Sequence, residues 1–72
     1  MNVIINRSYK NIEGGYLIVR AKIPFLKRCL VEFHSSPASG IWRTTWREVT
    51  NAELKKLLGV GRNVKLTIQH II

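Results

Sequence analysis

Basic side chains are the residues of this chain whose type and number point most directly to a chemistry. Twelve Lys and Arg stand against four Glu, and there is no Asp, so the formal net charge is +8. A surface this positive attracts polyanions and accelerates their encounter with the protein. Nucleic acid, an anionic membrane and an acidic protein are the partners to compare. We expect nucleic acid or an acidic protein surface, and no membrane.

Five of the cations are candidates for phosphate contacts because residue alternation predicts that they project together. Arg20 and Lys22 lie on the same side of one predicted strand, and Arg43 and Arg47 share a face of another. Lys27 and Arg28 mark the turn between two strands. If these strands pair as a meander, the cations converge on a groove that follows a phosphate backbone, although an ordinary solvated surface is the alternative. The candidate residues for binding nucleic acid or a partner are Arg20, Lys22, Arg28, Arg43, Arg47 and Trp42.

Two tryptophans form a second candidate feature. Trp42 and Trp46 are four residues apart, so they lie on one face of a predicted strand and could stack on unpaired bases, at on the order of 1–3 kcal/mol per base. The alternative is that the indoles fill the core, because the chain has only two Phe and two Tyr. We expect at least one of the two to be buried, which leaves Arg43, Thr45 and Arg47 as the functional face.

Catalytic and metal chemistry receive little support from the sequence. A ribonuclease would need His34 close to groups such as Tyr9, Arg28, Arg43 and Arg47, but nothing in their spacing requires this. His34, His70 and Cys29 lack the close spacing of a metal site, so we predict no metal or cofactor. The glycines at 59 and 61 follow a predicted helix, whereas phosphate-binding glycine loops precede one. We therefore expect a protein that is not an enzyme.

Length and composition limit the architecture and the location. A chain of 72 residues forms one domain, here residues 1–72, and buries only about 60 % of its unfolded surface. Cys29 is the single cysteine, which excludes an internal disulfide and favours a reducing environment. No apolar run is long enough to span a bilayer, and the opening residues do not resemble a signal peptide. We expect a cytoplasmic protein.

Hydrophobic alternation and capping residues predict the elements. Residue alternation indicates strands at 3–5, 16–23, 26–34, 41–48 and 64–72. Residues 50–53 match a capping box, in which the Thr50 hydroxyl accepts from the backbone of Glu53 and the Glu53 side chain returns to the cap. Gly59 ends the predicted helix. The order is therefore β-β-β-β-α-β, and the predicted fold is α+β, a small antiparallel sheet of four to five strands with one short helix.

These features rank the possible functions. The leading hypothesis is a small, non-enzymatic nucleic-acid-binding accessory protein that uses a basic sheet or loop surface. The second is a small interaction protein or inhibitor that docks on an acidic surface of a larger enzyme, for instance one that processes nucleic acid, and the third is an RNA-cleaving toxin. In size and charge the chain resembles small accessory proteins of phages and mobile elements, but no motif links it to a family. The apolar residues 71–72 also allow a homodimer through an exposed strand edge.

Overall fold

The computed structural model describes residues 1–36 and 40–71. Its elements follow the order β-β-β-β-β-α-β, so the predicted α+β class is confirmed. One turn of 3-10 helix, Pro24–Leu26, separates the third strand from the fourth. The remaining elements are β1 (Asn2–Ile4), β2 (Ser8–Lys10), β3 (Tyr16–Ile23), β4 (Arg28–Ser35), β5 (Arg43–Thr50), α1 (Asn51–Leu58) and β6 (Thr67–Gln69).

Two sheets divide these strands. The main sheet is antiparallel with the order β2-β3-β4-β5, and β1 pairs with β6 in a separate two-stranded sheet. That second pair is parallel, with Val3 in register with Ile68, and both residues are buried in the core. The first and last segments of the chain therefore meet, and the amino terminus donates to the Lys65 carbonyl at 2.5 Å.

Strand β2 is an element that the sequence pattern did not predict. It has three residues, Ser8, Tyr9 and Lys10, of which two are polar, so it lacks the apolar alternation of a strand. Tyr9 fixes its position, because its side chain packs against the core and its hydroxyl accepts from the Ile4 backbone at 2.8 Å. A single aromatic anchor thus holds a strand that is otherwise polar.

The core lies between the main sheet and α1. Alternation in β3 and β4 buries Leu17, Val19, Cys29 and Val31 on one face. Helix α1 covers that face with the buried residues Leu54 and Leu57. We call the opposite side of the main sheet the open face; it carries Tyr16 and Ile18 from β3, Glu32 and His34 from β4, and Thr44 and Trp46 from β5.

A β-bulge in β3 changes the predicted alternation. Val19 opposes Val31 and Ala21 opposes Leu30, so Arg20 is an extra residue in the ladder. One inserted residue moves every later side chain of the strand to the opposite face of the sheet. Lys22 therefore comes into register with the buried Cys29. The prediction that Arg20 and Lys22 project from the same side was wrong for this reason.

The start of α1 forms only half of the predicted capping box. Thr50 is the N-cap, and its hydroxyl accepts from the Glu53 backbone at 3.1 Å. The Glu53 carboxylate does not return to the cap, because it pairs with the Arg47 guanidinium at 3.1 Å. The end of the helix matches the prediction. Gly59 has a φ of 74°. The backbone N–H groups of Gly59 and Val60 donate to the carbonyls of Lys56 and Lys55, respectively, at 3.1 Å each, as is usual at a helix end of this kind.

Several predicted boundaries shift. Strand β5 begins at Arg43 and runs to Thr50, two residues later than predicted at both ends. Strand β6 has only three residues, so Ile71 lies beyond it and is 62 % exposed. Residues 37–39 of the predicted loop and residue 72 lie outside the described residues. Within residues 1–36 and 40–71, no helix is long and apolar enough to cross a bilayer.

Candidate nucleic-acid interface

A groove with three cations lies where the main sheet, the β1–β6 sheet and the start of α1 meet. It has a volume of about 290 Å³ and is lined by Lys22, Lys27 and Arg28, which define what we call the basic groove. Among the described residues that line it, none is acidic. The other lining residues are the polar Asn51 and Thr67 and the apolar Ile23, Pro24, Leu66 and Ile68.

Local structure explains why the three cations meet there. The β3 bulge turns Lys22 toward the β1–β6 sheet, where its Nζ donates to the Ile68 carbonyl at 2.8 Å. Lys27 closes the 3-10 turn in the left-handed conformation, with a φ of 50°. Its carbonyl accepts from the Asn51 backbone at 3.2 Å, which joins the turn to the start of the helix. Arg28 follows as the exposed first residue of β4.

Two of the predicted binding residues are held in ion pairs outside the groove. Arg20 donates from Nε to Glu32 at 2.7 Å and from Nη1 to the Asn6 side chain at 2.9 Å. Arg47 pairs with Glu53 and lies 4.9 Å from the centre of the Phe33 ring. Both guanidinium groups therefore hold neighbouring elements together, and less of their charge is directed outward.

The other two predicted residues lie at the far end of the sheet. Arg43 begins β5 in register with Ser35, and Trp42 precedes it, with its ring 5.7 Å from that of Tyr16. Of the six predicted residues, the structure brings only Lys22 and Arg28 together in the groove. Lys27 was not among these six residues, although its predicted position in the turn beside Arg28 was a signal for placing it in the groove.

The tryptophans are exposed, so the expectation that at least one is buried was wrong. Trp42 is 58 % and Trp46 is 56 % exposed. The reason is which side chains of β5 lie on the core face of the sheet. Val49, which is 1 % exposed, is in register with the core residue Cys29 and therefore lies on that face. Trp46 has the opposite parity and therefore lies on the open face. Leucines of α1 fill the space that the indoles were expected to occupy.

A polar network on the open face orients His34. The His34 Nε2 lies 2.5 Å from the Glu32 carboxylate, and its Nδ1 lies 3.1 Å from the Thr44 hydroxyl. The Tyr16 ring stacks on the imidazole at 4.7 Å, with 7° between the planes. Hydrogen bonds, first from Arg20 and then from His34, hold the pKa of the Glu32 carboxyl below its ordinary value.

Two of the groups named for an RNA-cleaving site, Tyr9 and Arg28, do not lie beside His34. Tyr9 is in register with the buried Leu17, so it lies on the core face of the sheet. Arg28 lies at the other end of β4, six residues from His34, which corresponds to about 20 Å along a strand. Both ring nitrogens of His34 already have partners. The network is therefore arranged to hold a ring in place.

The basic groove and the open face therefore differ in their chemistry. The basic groove lies at the Arg28 end of β4, and a cluster of aromatic side chains lies at the His34 end. No family model, curated protein or solved structure matches the chain.

Proposed function

We propose that this protein binds nucleic acid through the basic groove and carries out no chemistry on it. The observation that supports the proposal is the convergence of Lys22, Lys27 and Arg28 on one groove. In residues 1–36 and 40–71, the salt bridges involve Arg20, His34 and Arg47 and none of the groove cations. Their charge therefore remains available to a polyanion, whose condensed counterions are released on binding.

The three side chains suit different parts of a phosphate contact. The ammonium groups of Lys22 and Lys27 act as compact point charges, and the Arg28 guanidinium can donate two parallel hydrogen bonds to one phosphate. The Lys22 ammonium donates to the Ile68 carbonyl, and the Lys27 backbone carbonyl accepts from the Asn51 backbone. These hydrogen bonds hold the groove walls in place before binding. Contacts to phosphate carry no base information, so the groove should bind with little sequence preference.

An accessory role in the cytoplasm belongs to this proposal. The single Cys29 suits a reducing compartment, where nucleic acid is also accessible. The competing function, docking on an acidic surface of a larger enzyme, would use the same cations, with the exposed Trp42 as the apolar anchor that protein interfaces need. The two differ in salt response, because a polyelectrolyte gives a steep dependence that changes little with sequence.

A matched pair of variants tests the groove. The groove variant combines Lys22→Gln, Lys27→Asn and Arg28→Gln; asparagine is chosen at 27 because it tolerates the left-handed conformation. The control variant combines Arg7→Gln, Lys56→Gln and Arg62→Gln, which removes the same charge from exposed residues that line neither the groove nor the open face of the sheet. Binding of labelled DNA and RNA is measured across salt concentrations.

The expected result is a selective loss in the groove variant. Three lost phosphate contacts should reduce the slope of log affinity against log salt by about 2.7 on duplex DNA. The control should retain most of the slope, because its charges act only at long range. Equal losses in both variants would mean that net charge, and not the groove, attracts the ligand. Absence of binding at low salt would favour the acidic protein partner.

A further inference from the structure

The aromatic cluster on the open face consists of Tyr16, His34, Trp42 and Trp46. Trp42 and Trp46 each leave more than half of their surface in water. Neither belongs to the core, which is formed by residues of both sheets and α1. Two exposed indoles on one side of so small a sheet are typical of a surface that contacts a ligand.

Part of the aromatic cluster is held in position before any ligand arrives. Tyr16 lies parallel to the His34 ring, which is fixed by Glu32 on one nitrogen and Thr44 on the other. Trp42 rests against Tyr16 with a tilt of 49°. Side chains that are already ordered lose less conformational entropy on binding, so flat partners can stack on them at low cost.

A carboxylate beside Trp46 on the open face favours an uncharged base over a phosphate at that indole. Its cations are Lys10, Arg20 and Arg28, and its carboxylates are Glu32 and Glu48, as the strand registers place them. Arg20 and Glu32 neutralise each other, and the exposed Glu48 lies two residues from Trp46 on the same face. A carboxylate there repels phosphate but not an uncharged base.

The basic groove and the aromatic cluster are joined along β4. Arg28 lines the groove and shares the open face with Glu32 and His34 through strand alternation. Trp46, in register with Glu32, lies about 13 Å from Arg28 along the strand, and His34 lies about 20 Å from it. A nucleic-acid strand laid along β4 can therefore place phosphates at Arg28 and bases over the aromatic rings. A duplex cannot do this, because its bases are stacked inside the helix and their faces are hidden.

We infer that the ligand is single-stranded nucleic acid, with phosphates in the basic groove and unpaired bases stacked on Trp46 and Trp42. This inference rests on the proposed function and names the class of nucleic acid that it takes. Stacking is tolerant of sequence because every base has a π-face. The protein would therefore bind single strands of varied sequence in preference to duplexes.

The experiment compares a labelled oligothymidylate with a duplex of the same length. The variants are Trp42→Leu and Trp46→Leu, which keep an apolar side chain but remove the indole, and Trp46→Phe, which restores a ring. Each leucine variant should lower single-strand affinity roughly 5- to 150-fold, as expected for one lost stack. Duplex affinity should change less than twofold, and Trp46→Phe should recover much of the loss. Glu48→Gln should raise single-strand affinity.

Two outcomes separate this inference from the proposed function. If the wild-type protein binds duplex as tightly as the single strand, or if both leucine variants bind the single strand like wild type, the stacking inference is wrong. In that case the groove variant would still lose affinity and the groove proposal would stand. If the groove variant also binds normally, the proposed function itself fails. Quenching of tryptophan fluorescence in the unmodified protein gives a readout that does not depend on whether a variant folds.

Discussion

Replacing Thr50 by alanine should lower the free energy of unfolding by about 0.5–2 kcal/mol, the usual value of an N-cap. The hydroxyl accepts from the Glu53 backbone at 3.1 Å, and alanine leaves that donor without its protein partner. The helix cannot fray to relieve this cost, because Leu54 and Leu57 are buried in the first and second turns. The loss should therefore appear in global stability.

The size of the effect makes it measurable. A chain of 72 residues has a total stability of roughly 4–11 kcal/mol at the usual stability per residue. For a domain of this size, each 1 kcal/mol shifts the Tm by about 4–8 °C. Thr50→Ala should thus lower the Tm by several degrees while the protein remains folded at 25 °C.

Thermal and urea melts followed by circular dichroism provide the assay. Thr50→Ser is the matched control, because it removes a methyl group but keeps the oxygen that caps the helix, and it should melt close to wild type. Equal losses of Tm in the alanine and serine variants would refute a capping role for the Thr50 hydroxyl. That result would assign the cost to the lost methyl contacts, or to the pairing of Thr50 with Arg28 in the sheet, and not to the cap.

Three further predictions concern buried or constrained groups. The hydrogen bond from Arg20 lowers the pKa of Glu32 from its ordinary 4.5. The ionised Glu32 carboxylate therefore contributes stability that is present above pH 4.5 and is lost as the pH falls through the lower pKa of the folded state. The free energy of unfolding should therefore fall less steeply with decreasing pH in Glu32→Gln than in the wild-type protein, and identical curves would contradict this. Burial, and secondarily the charge of Glu53, raises the pKa of the Cys29 thiol to about 11. A thiol reagent at pH 8 should then label Cys29 only after denaturation, and rapid labelling of the native protein would show that the thiol is accessible. Gly15→Ala should destabilise more than Gly14→Ala, because both have positive φ but only at Gly15 would a Cβ lie 2.0 Å from the His34 carbonyl oxygen; comparable melts would contradict that close approach.

The sequence predicted the parts of the fold that depend on local pattern. Alternation predicted a strand at 26–34, which the structure has as β4, and the cap at Thr50 and the helix end at Gly59 follow from residue preferences. Each of these predictions depends only on residues that are close together in the sequence. The α+β class follows from the same local signals.

Features that depend on distant contacts were not predicted. The bulge at Arg20 is set by the register against β4, and it alone moved Lys22 to the other face. The burial of Val49 in place of Trp46 depends on how α1 packs after β5. Likewise, the parallel pairing of β1 with β6 joins the two ends of the chain.

The candidate site was predicted in part for a similar reason. Net charge indicated a polyanion, but it did not show which cations remain free. Arg20 and Arg47 are held by Glu32 and Glu53, which lie twelve and six residues away in the sequence and meet them only in the folded chain. Of the six predicted residues, Lys22 and Arg28 lie in the basic groove, together with Lys27 from the turn.

The slope of log affinity against log salt for a labelled single strand, measured for the wild-type protein and for the groove variant, tests the central claim most directly. We predict that wild-type affinity falls by orders of magnitude between about 50 and 200 mM salt, and that the groove variant has a slope shallower by about 2, at roughly 0.7 per lost phosphate contact. Equal slopes for the two proteins, or no binding by the wild type at 50 mM salt, would contradict the account.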